Sequence, residues 1–449
     1  MIKTESPSYY NQNYYTFLIV LLFCIFAFGI LFSEYIIRDL SGMELYPSSN
    51  TIGRFMFPLL FLASIGLGKK IFTFYSSKIL FEDICLIMFC AIVIASELLV
   101  SSGSFHDLGR PVLFLSRFLI PFYVLSFCFR NTIAPSYAFI LCIVILFSIC
   151  LPLVLNYEEI KNLGETERLF FSGIGNSATA AGTFATGSFL FTIYVFLLSG
   201  KKNTPYYKTL IITMLLIFGV TVWMLFKLKT RGSWLYIFTT FLVYVLFRKE
   251  VVNEVNTKMN HPLLKAALFC VVVSVFICWD LICQIDFYQV SPEKIINDFL
   301  EMQRFSEKSF EYDQTYGRLY IWEQYLNYFS SSNNFFIGSG FPDLGDSIAA
   351  NFDNSIRGLA PHNAILGIWM LYGFFGLFFY FLFHISILYR AYKSLREDRS
   401  KKTVFAFSIL VGGIVPFLTE NYFFLNANIL PWMWYILGGI FVNKDRLSS

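Results

Sequence analysis

The stretch that decides the fold is PHNAILGIWMLYGFFGLFFYFLF, Pro361–Phe383. Its first three residues close a long polar segment. From Ala364 to Phe383 the run is apolar, punctuated by Gly373 and Gly376. About 20 mostly apolar residues suffice for a helix to cross a bilayer, so His362 stands at a membrane surface. The polar segment before it also carries Arg304, Arg318 and Arg357. A histidine in that position suits proton transfer on a substrate that is anchored in lipid but reacts in water.

The same signal runs through the whole chain. Its 449 residues are 56% hydrophobic and 20% aromatic but only 14% charged, with a mean hydropathy of +0.61. Soluble domains carry about 25% charge, and the deficit places this chain in the bilayer. The net charge of +4 is small, so the distribution of charge matters more than its sum. No glycine-rich phosphate loop, zinc-type Cys/His cluster or basic nucleic-acid stripe occurs. Neither a metal, nor a cofactor, nor a nucleic-acid partner is expected. The nine cysteines lie in or beside apolar runs and read as small core hydrophobes, not a disulfide framework.

Twelve runs meet the length and apolarity of a span: 16–33, 52–68, 79–100, 112–129, 133–155, 173–199, 209–227, 232–247, 266–283, 362–389, 403–424 and 429–442. The first has no strong small-residue cleavage site after it and is read as a span, not a removed signal peptide. The expected fold is all-α and polytopic, with about twelve transmembrane helices. It divides into a membrane domain at 1–283, a large external loop at 284–361 and a second membrane domain at 362–449.

Lysine and arginine in short loops set the orientation. With a cytoplasmic N-terminus, the inner loops hold Lys69, Lys70, Lys78, Arg130, Lys201, Lys202, Lys208, Arg248, Lys249, Lys258 and Lys265, and 390–402 adds six more basic residues. Opposite short loops are poorer. Both termini then face the cytoplasm and the loop 284–361 faces outward. Within it, 292–329 is helical in pattern, whereas 330–360, rich in Ser, Asn, Gly and Asp, reads as an irregular cap.

Three basic groups fall on the outer side: Arg231 between two spans with Lys227 just before it, Arg318 in the outer loop, and His362. Arginine offers a fixed fork of donors suited to phosphate. Two arginines and a lysine would suit a diphosphate headgroup. Histidine takes up a proton near neutrality. Each has an ordinary reading too: Arg231 snorkelling from a span end, Arg318 solvated in its loop, His362 capping a helix, and Gly373 with Gly376 serving close helix packing. Glu420, near the outer end of the eleventh run, is a functional candidate by its depth, or a partner for an arginine. His384 reads as structural.

Taken in order, Gly175-Asn176, Thr230-Arg231-Gly232, Gly317-Arg318…Trp322, Gly338-Ser-Gly340 and His362-Asn363 followed by Gly373-Phe-Phe-Gly376 resemble the O-antigen ligase and O-antigen polymerase superfamily of bacterial surface-polysaccharide assembly. The resemblance covers about 170–380 and implies a GT-C-like membrane glycosyltransferase in the bacterial inner membrane. Its donor would be a glycan on undecaprenyl diphosphate, its acceptor a saccharide hydroxyl on the outer face. Carried over, Arg231 and Arg318 hold the diphosphate and His362 receives the acceptor's proton, in a metal-independent inverting displacement. Arg168, before the sixth span, joins this set through looser surroundings. Membrane lipid and a chain-length regulator protein are the further partners implied.

A repeat-unit polymerase is the preferred reading, with a ligase acting on lipid A core as the alternative. A transporter or flippase is the rival from another class, but it would carry charged or broken-helix sites near mid-membrane. The topology is directly testable. A reporter active only outside the cytoplasm should be active when fused near Asn333 and silent near Lys258 or Lys401. The reverse pattern would overturn the arrangement.

Overall fold

The computed structural model describes residues 71–100, 114–115, 118–129, 135–155, 178–199, 205–228, 231–248, 322–323, 325–327, 335–338, 363–414, 417 and 429–447. Every regular element among them is helical. In chain order these are α1 (Phe81–Val100), a π-helical turn (Ile120–Leu125) running into α2 (Ser126–Phe129), α3 (Pro135–Leu155), α4 (Ala178–Ser199), α5 (Pro205–Leu228), α6 (Arg231–Phe247), α7 (Ala364–Glu397), α8 (Lys401–Gly412) and α9 (Ile429–Leu447). The expected runs 16–33, 52–68 and 266–283 lie outside the described residues.

Composition explains the helices. α3 and α4 are apolar all round, with no single stripe, the pattern of a helix surrounded by apolar matter on every side. Tyr206–Leu225 within α5, and α7, are long and apolar enough to cross a membrane. Shorter apolar helices occupy Ile120–Phe129, Pro135–Phe147, Phe184–Ser199 and Gly232–Phe247. The outside of the bundle is apolar as well: Leu99, Phe238 and Leu246 are 69%, 65% and 69% exposed. Surface of this kind, repeated over several helices, needs an apolar medium against it.

Two expected runs depart furthest from the structure. The tenth begins at Ala364, not 362, and continues to Glu397. The eleventh is not one helix over 403–424, because α8 ends at Gly412 with a turn at Gly413. Trp434 of α9 packs against this end. Its indole N–H donates to the Leu410 carbonyl at 3.0 Å, satisfying one of the acceptors that a helix end leaves open. A Cβ on Gly413 would lie 2.7 Å from the same ring.

Contacts fix the direction of each helix. Arg390 donates to Glu82 at 2.9 Å, while Ser96 donates to the Leu371 carbonyl at 3.1 Å, so α1 and α7 are antiparallel. Phe196 meets Tyr207 and Phe189 meets Phe218, pairing α4 and α5 antiparallel. The Tyr236 hydroxyl reaches the Ile409 carbonyl at 3.5 Å while Tyr244 meets Phe405, which sets α6 antiparallel to α8. α7 and α9 run parallel, as Tyr380–Tyr435 and Ser394–Lys444 contacts show. One end of the bundle therefore gathers Glu82, Arg248, Arg390, Lys402, Lys444 and Arg446. The start of α6, the start of α7 and the ends of α1 and α5 gather at the other.

Two polar constellations tie the core together. Midway, Nδ1 of His384 donates to the Tyr380 carbonyl at 2.7 Å, which leaves Nε2 to accept from the Tyr435 hydroxyl at 3.1 Å. The Tyr380 hydroxyl completes the chain against Tyr435 at 3.2 Å. A neutral histidine thus satisfies every member and braces α7 to α9. At the basic end, Arg446 pairs with Asp83 and donates to the carbonyls of Tyr75 and Lys78 at 3.0 and 2.7 Å. Asp83 also accepts from Leu80 N–H and Tyr123.

Both members of the Asp83–Arg446 pair are buried, so removing one strands the other in a poorly solvating site. Breaking such a pair costs about 3–5 kcal/mol. Arg446→Met should lower the unfolding temperature of the detergent-solubilised protein accordingly, with Arg446→Lys recovering only part. An unchanged temperature would mean that this clamp contributes nothing.

Candidate active site

α7 begins with a cap. Asn363 is extended (φ −148°, ψ 122°), and its side-chain oxygen accepts from the N–H groups of Ile365 and Leu366 at 2.8 and 3.2 Å. Asparagine is among the residues best suited to this task, its carbonyl being short enough to reach the second and third helical N–H. His362 therefore precedes the cap and does not sit on the first helical turn or cap the helix itself, as the sequence reading allowed. His362 lies outside the described residues.

Ten residues after Asn363 the helix breaks. Gly373 has φ +63°, a left-handed conformation inside an otherwise right-handed helix. The break frees the N–H groups of Phe374 and Phe375 and the carbonyl of Leu371 from their helical partners. The segment Phe335–Gly338, from the polar stretch that precedes α7, fills the gap. Phe374 N–H donates to the Phe335 carbonyl at 2.9 Å and Phe375 N–H to that of Phe336 at 3.4 Å. Trp369 donates its indole N–H to the Phe335 carbonyl at 3.2 Å. The Ser96 hydroxyl of α1 is shared between the carbonyls of Ile337 and Leu371, at 2.8 and 3.1 Å. Three consecutive loop carbonyls thereby find donors, as irregular backbone in apolar surroundings requires.

The fit is reciprocal. Gly338 is also left-handed, at φ +84°. A Cβ on Gly338 would collide with the Leu371–Tyr372 peptide, and one on Gly373 with the Phe336–Ile337 peptide. This corrects the expectation that Gly373 serves helix packing: it receives a loop. Gly376 does face α1, 3.6 Å from Ile92 for an added Cβ, but its first obstacle would be Tyr372, folded back over it by the break. Phe336, Phe374 and Phe375 form an aromatic cluster around the junction.

The other predicted residues are placed only through their helices. Arg231 opens α6, and Lys227 lies in the last turn of α5, both at the junction end of the bundle. Arg318, Glu420 and Arg168 lie outside the described residues. The sequence reading does not single out Glu97, which follows Ser96 in the last turn of α1 and is buried. Its signal was a lone acid at the far end of an apolar helix, costly there unless it has a task.

Residues 214–381 match the family model for O-antigen ligase. No individual curated protein matches the chain. The family match places this stretch in the O-antigen ligase and polymerase superfamily. It takes in Lys227, Arg231, Arg318, His362, Gly338 and Gly373, and excludes Arg168 and Glu420.

Gly373→Ala should be costly. A non-glycine residue in this conformation carries about 1–3 kcal/mol of strain, and here the new methyl also meets backbone that has no rotamer to adopt. A fall in unfolding temperature with faster protease cleavage near Phe336 is expected. Normal stability and cleavage would mean that the loop does not depend on the break.

Proposed function

We propose that this chain is an integral-membrane glycosyltransferase that moves a glycan from a polyprenyl diphosphate to a saccharide hydroxyl on the outer face of the bacterial inner membrane. The observation that carries the reading is the docking of Phe335–Gly338 into the Gly373 break. It ties the loop that bears Arg318 to the helix that follows His362, inside the family-matched stretch and at the end of the bundle where Arg231 opens α6. With the basic end toward the cytoplasm, this junction faces outward and the C-terminal helix ends inside.

The roles follow from the residue types. The acceptor oxygen attacks the anomeric carbon from the side opposite the diphosphate, forming one C–O bond as the other breaks. The bonding pair leaves on the diphosphate oxygen, and the anomeric configuration inverts. Arg231 and Arg318 receive the charge that develops on the leaving group, with Lys227 as a further cation nearby. His362 takes the acceptor's proton. The start of α7 adds the partial positive charge of a helix N-terminus to the same neighbourhood.

The polymerase reading makes the acceptor a second lipid-linked repeat unit. The second reading is a ligase, the activity that the matched family is named for, and its acceptor would be lipid A core. Purified protein given only lipid-linked repeats separates the two, because a polymerase lengthens them and a ligase does not.

His362→Ala should reduce glycan transfer by about 10²–10⁴-fold, the usual worth of a general base, with membrane insertion unchanged. Arg231→Lys and Arg318→Lys should each transfer poorly, since an ammonium cannot reproduce the bidentate fork. Surface-glycan length on gels, beside immunoblots of membrane levels, checks all three. Normal chains with His362→Ala and none with Glu420→Gln would transfer the base role to Glu420.

A further inference from the structure

A cavity of about 250 Å³ opens at the basic end of the bundle, between α4, α7, α8 and α9. It lies far from the proposed transfer site. Along α7, Asn363 and Ser394 are separated by roughly 45 Å of helix at 1.5 Å per residue. The donor's reacting diphosphate therefore cannot be its occupant.

The walls are of two kinds. Toward the core they are apolar, with Leu198 and Phe441 among the side chains. The rim is polar and carries Lys402 at the start of α8 and Lys444 in the last turn of α9. Lys444 donates to the buried Ser394 hydroxyl at 3.0 Å, while Lys402 is exposed and makes no hydrogen bond among the described residues. Neither lysine forms an ion pair with a described carboxylate.

Asp398 also lines the rim, but its oxygens are already used. They accept from the Ser400 N–H at 2.9 Å, the Ser400 hydroxyl at 3.1 Å and the Thr403 hydroxyl at 2.8 Å, closing the turn into α8. Burial pushes the Asp398 carboxyl up, yet the Thr403 and Ser400 bonds and the charge of Lys444 outweigh it and hold it below the ordinary value. Two cations thus face one carboxylate that is occupied elsewhere.

We propose that this cavity binds the phosphate of an anionic phospholipid from the adjacent leaflet. The lysines and the Ser394 hydroxyl face the phosphate, and the apolar wall takes the glycerol and the upper acyl chain. The volume is below the roughly 300–1,000 Å³ of pockets that enclose a whole drug-sized ligand, which fits a site that grips a headgroup and leaves the tails in the bilayer. Basic pockets between helices at a cytoplasmic surface recognise acidic headgroups in this way. The proposal rests on the membrane reading but not on the transfer chemistry.

The test uses the full-length protein in detergent, with retained phosphatidylglycerol and phosphatidylcholine measured by native mass spectrometry. Wild type should retain phosphatidylglycerol in preference. Lys402→Gln/Lys444→Gln should weaken that retention about thirtyfold, as two lysines near an acidic headgroup imply. Lys393→Gln/Arg396→Gln removes two charges at the same end that do not line the cavity, and should keep most of it. Undiminished retention in the first variant, or equal loss in both, overturns the site. Displacement of the lipid by millimolar inorganic phosphate that itself stays bound would also overturn it, by making the ligand a soluble anion.

Discussion

A helix cannot be broken in apolar surroundings unless something replaces the hydrogen bonds it loses, and that constraint organises the end of this molecule where the chemistry is proposed. Gly373 takes a positive φ that breaks α7 and releases two N–H groups and a carbonyl. The carbonyls of Phe335 and Phe336 take the first two, and Ser96 takes the last. Because three separate elements supply these partners, α1, α7 and the segment Phe335–Gly338 hold one another in place. A soluble protein would let water fill such a gap. Here an unsatisfied group would cost several kcal/mol, so the docking is obligatory and not incidental.

The break also divides α7 into parts with different tasks. The short first part, Ala364 to Tyr372, follows the Asn363 cap. The long second part lies along α1 and α9 and is braced midway by the His384–Tyr435–Tyr380 chain. The Asp83–Arg446 pair and the Glu82–Arg390 pair fasten the basic end. Rigidity is thus concentrated below the junction, which allows a site built on one short half-helix and one docked loop to keep its geometry.

Much of this was legible in the sequence because apolar runs of bilayer length admit few structures other than helices. α3, α4, α5 and α6 fall where their runs predict, and the alternation of basic and basic-poor connections agrees with the directions that the ring contacts set. The motifs Gly338-Ser-Gly340 and Gly373-Phe-Phe-Gly376 were also visible, but as separate signals. Glycines three apart in a helix look like a packing face, and nothing local distinguishes that from a break that receives a distant loop. His384 seemed to have no partner for a similar reason: Tyr435 lies 51 residues away, beyond any local pattern.

The sequence by itself determined the helical class of structure and the family resemblance of the stretch 214–381, since hydropathy and motif order are properties of short stretches. Only the tertiary structure decided that Asn363 and not His362 caps α7. It alone showed that Gly338 and Gly373 form one joint, that Ser96 completes it, and that Trp434 accompanies the end of α8 at Gly412. Each of these depends on which backbone groups lose their local partners and which remote groups come within about 3 Å to replace them. A linear sequence does not record that distance.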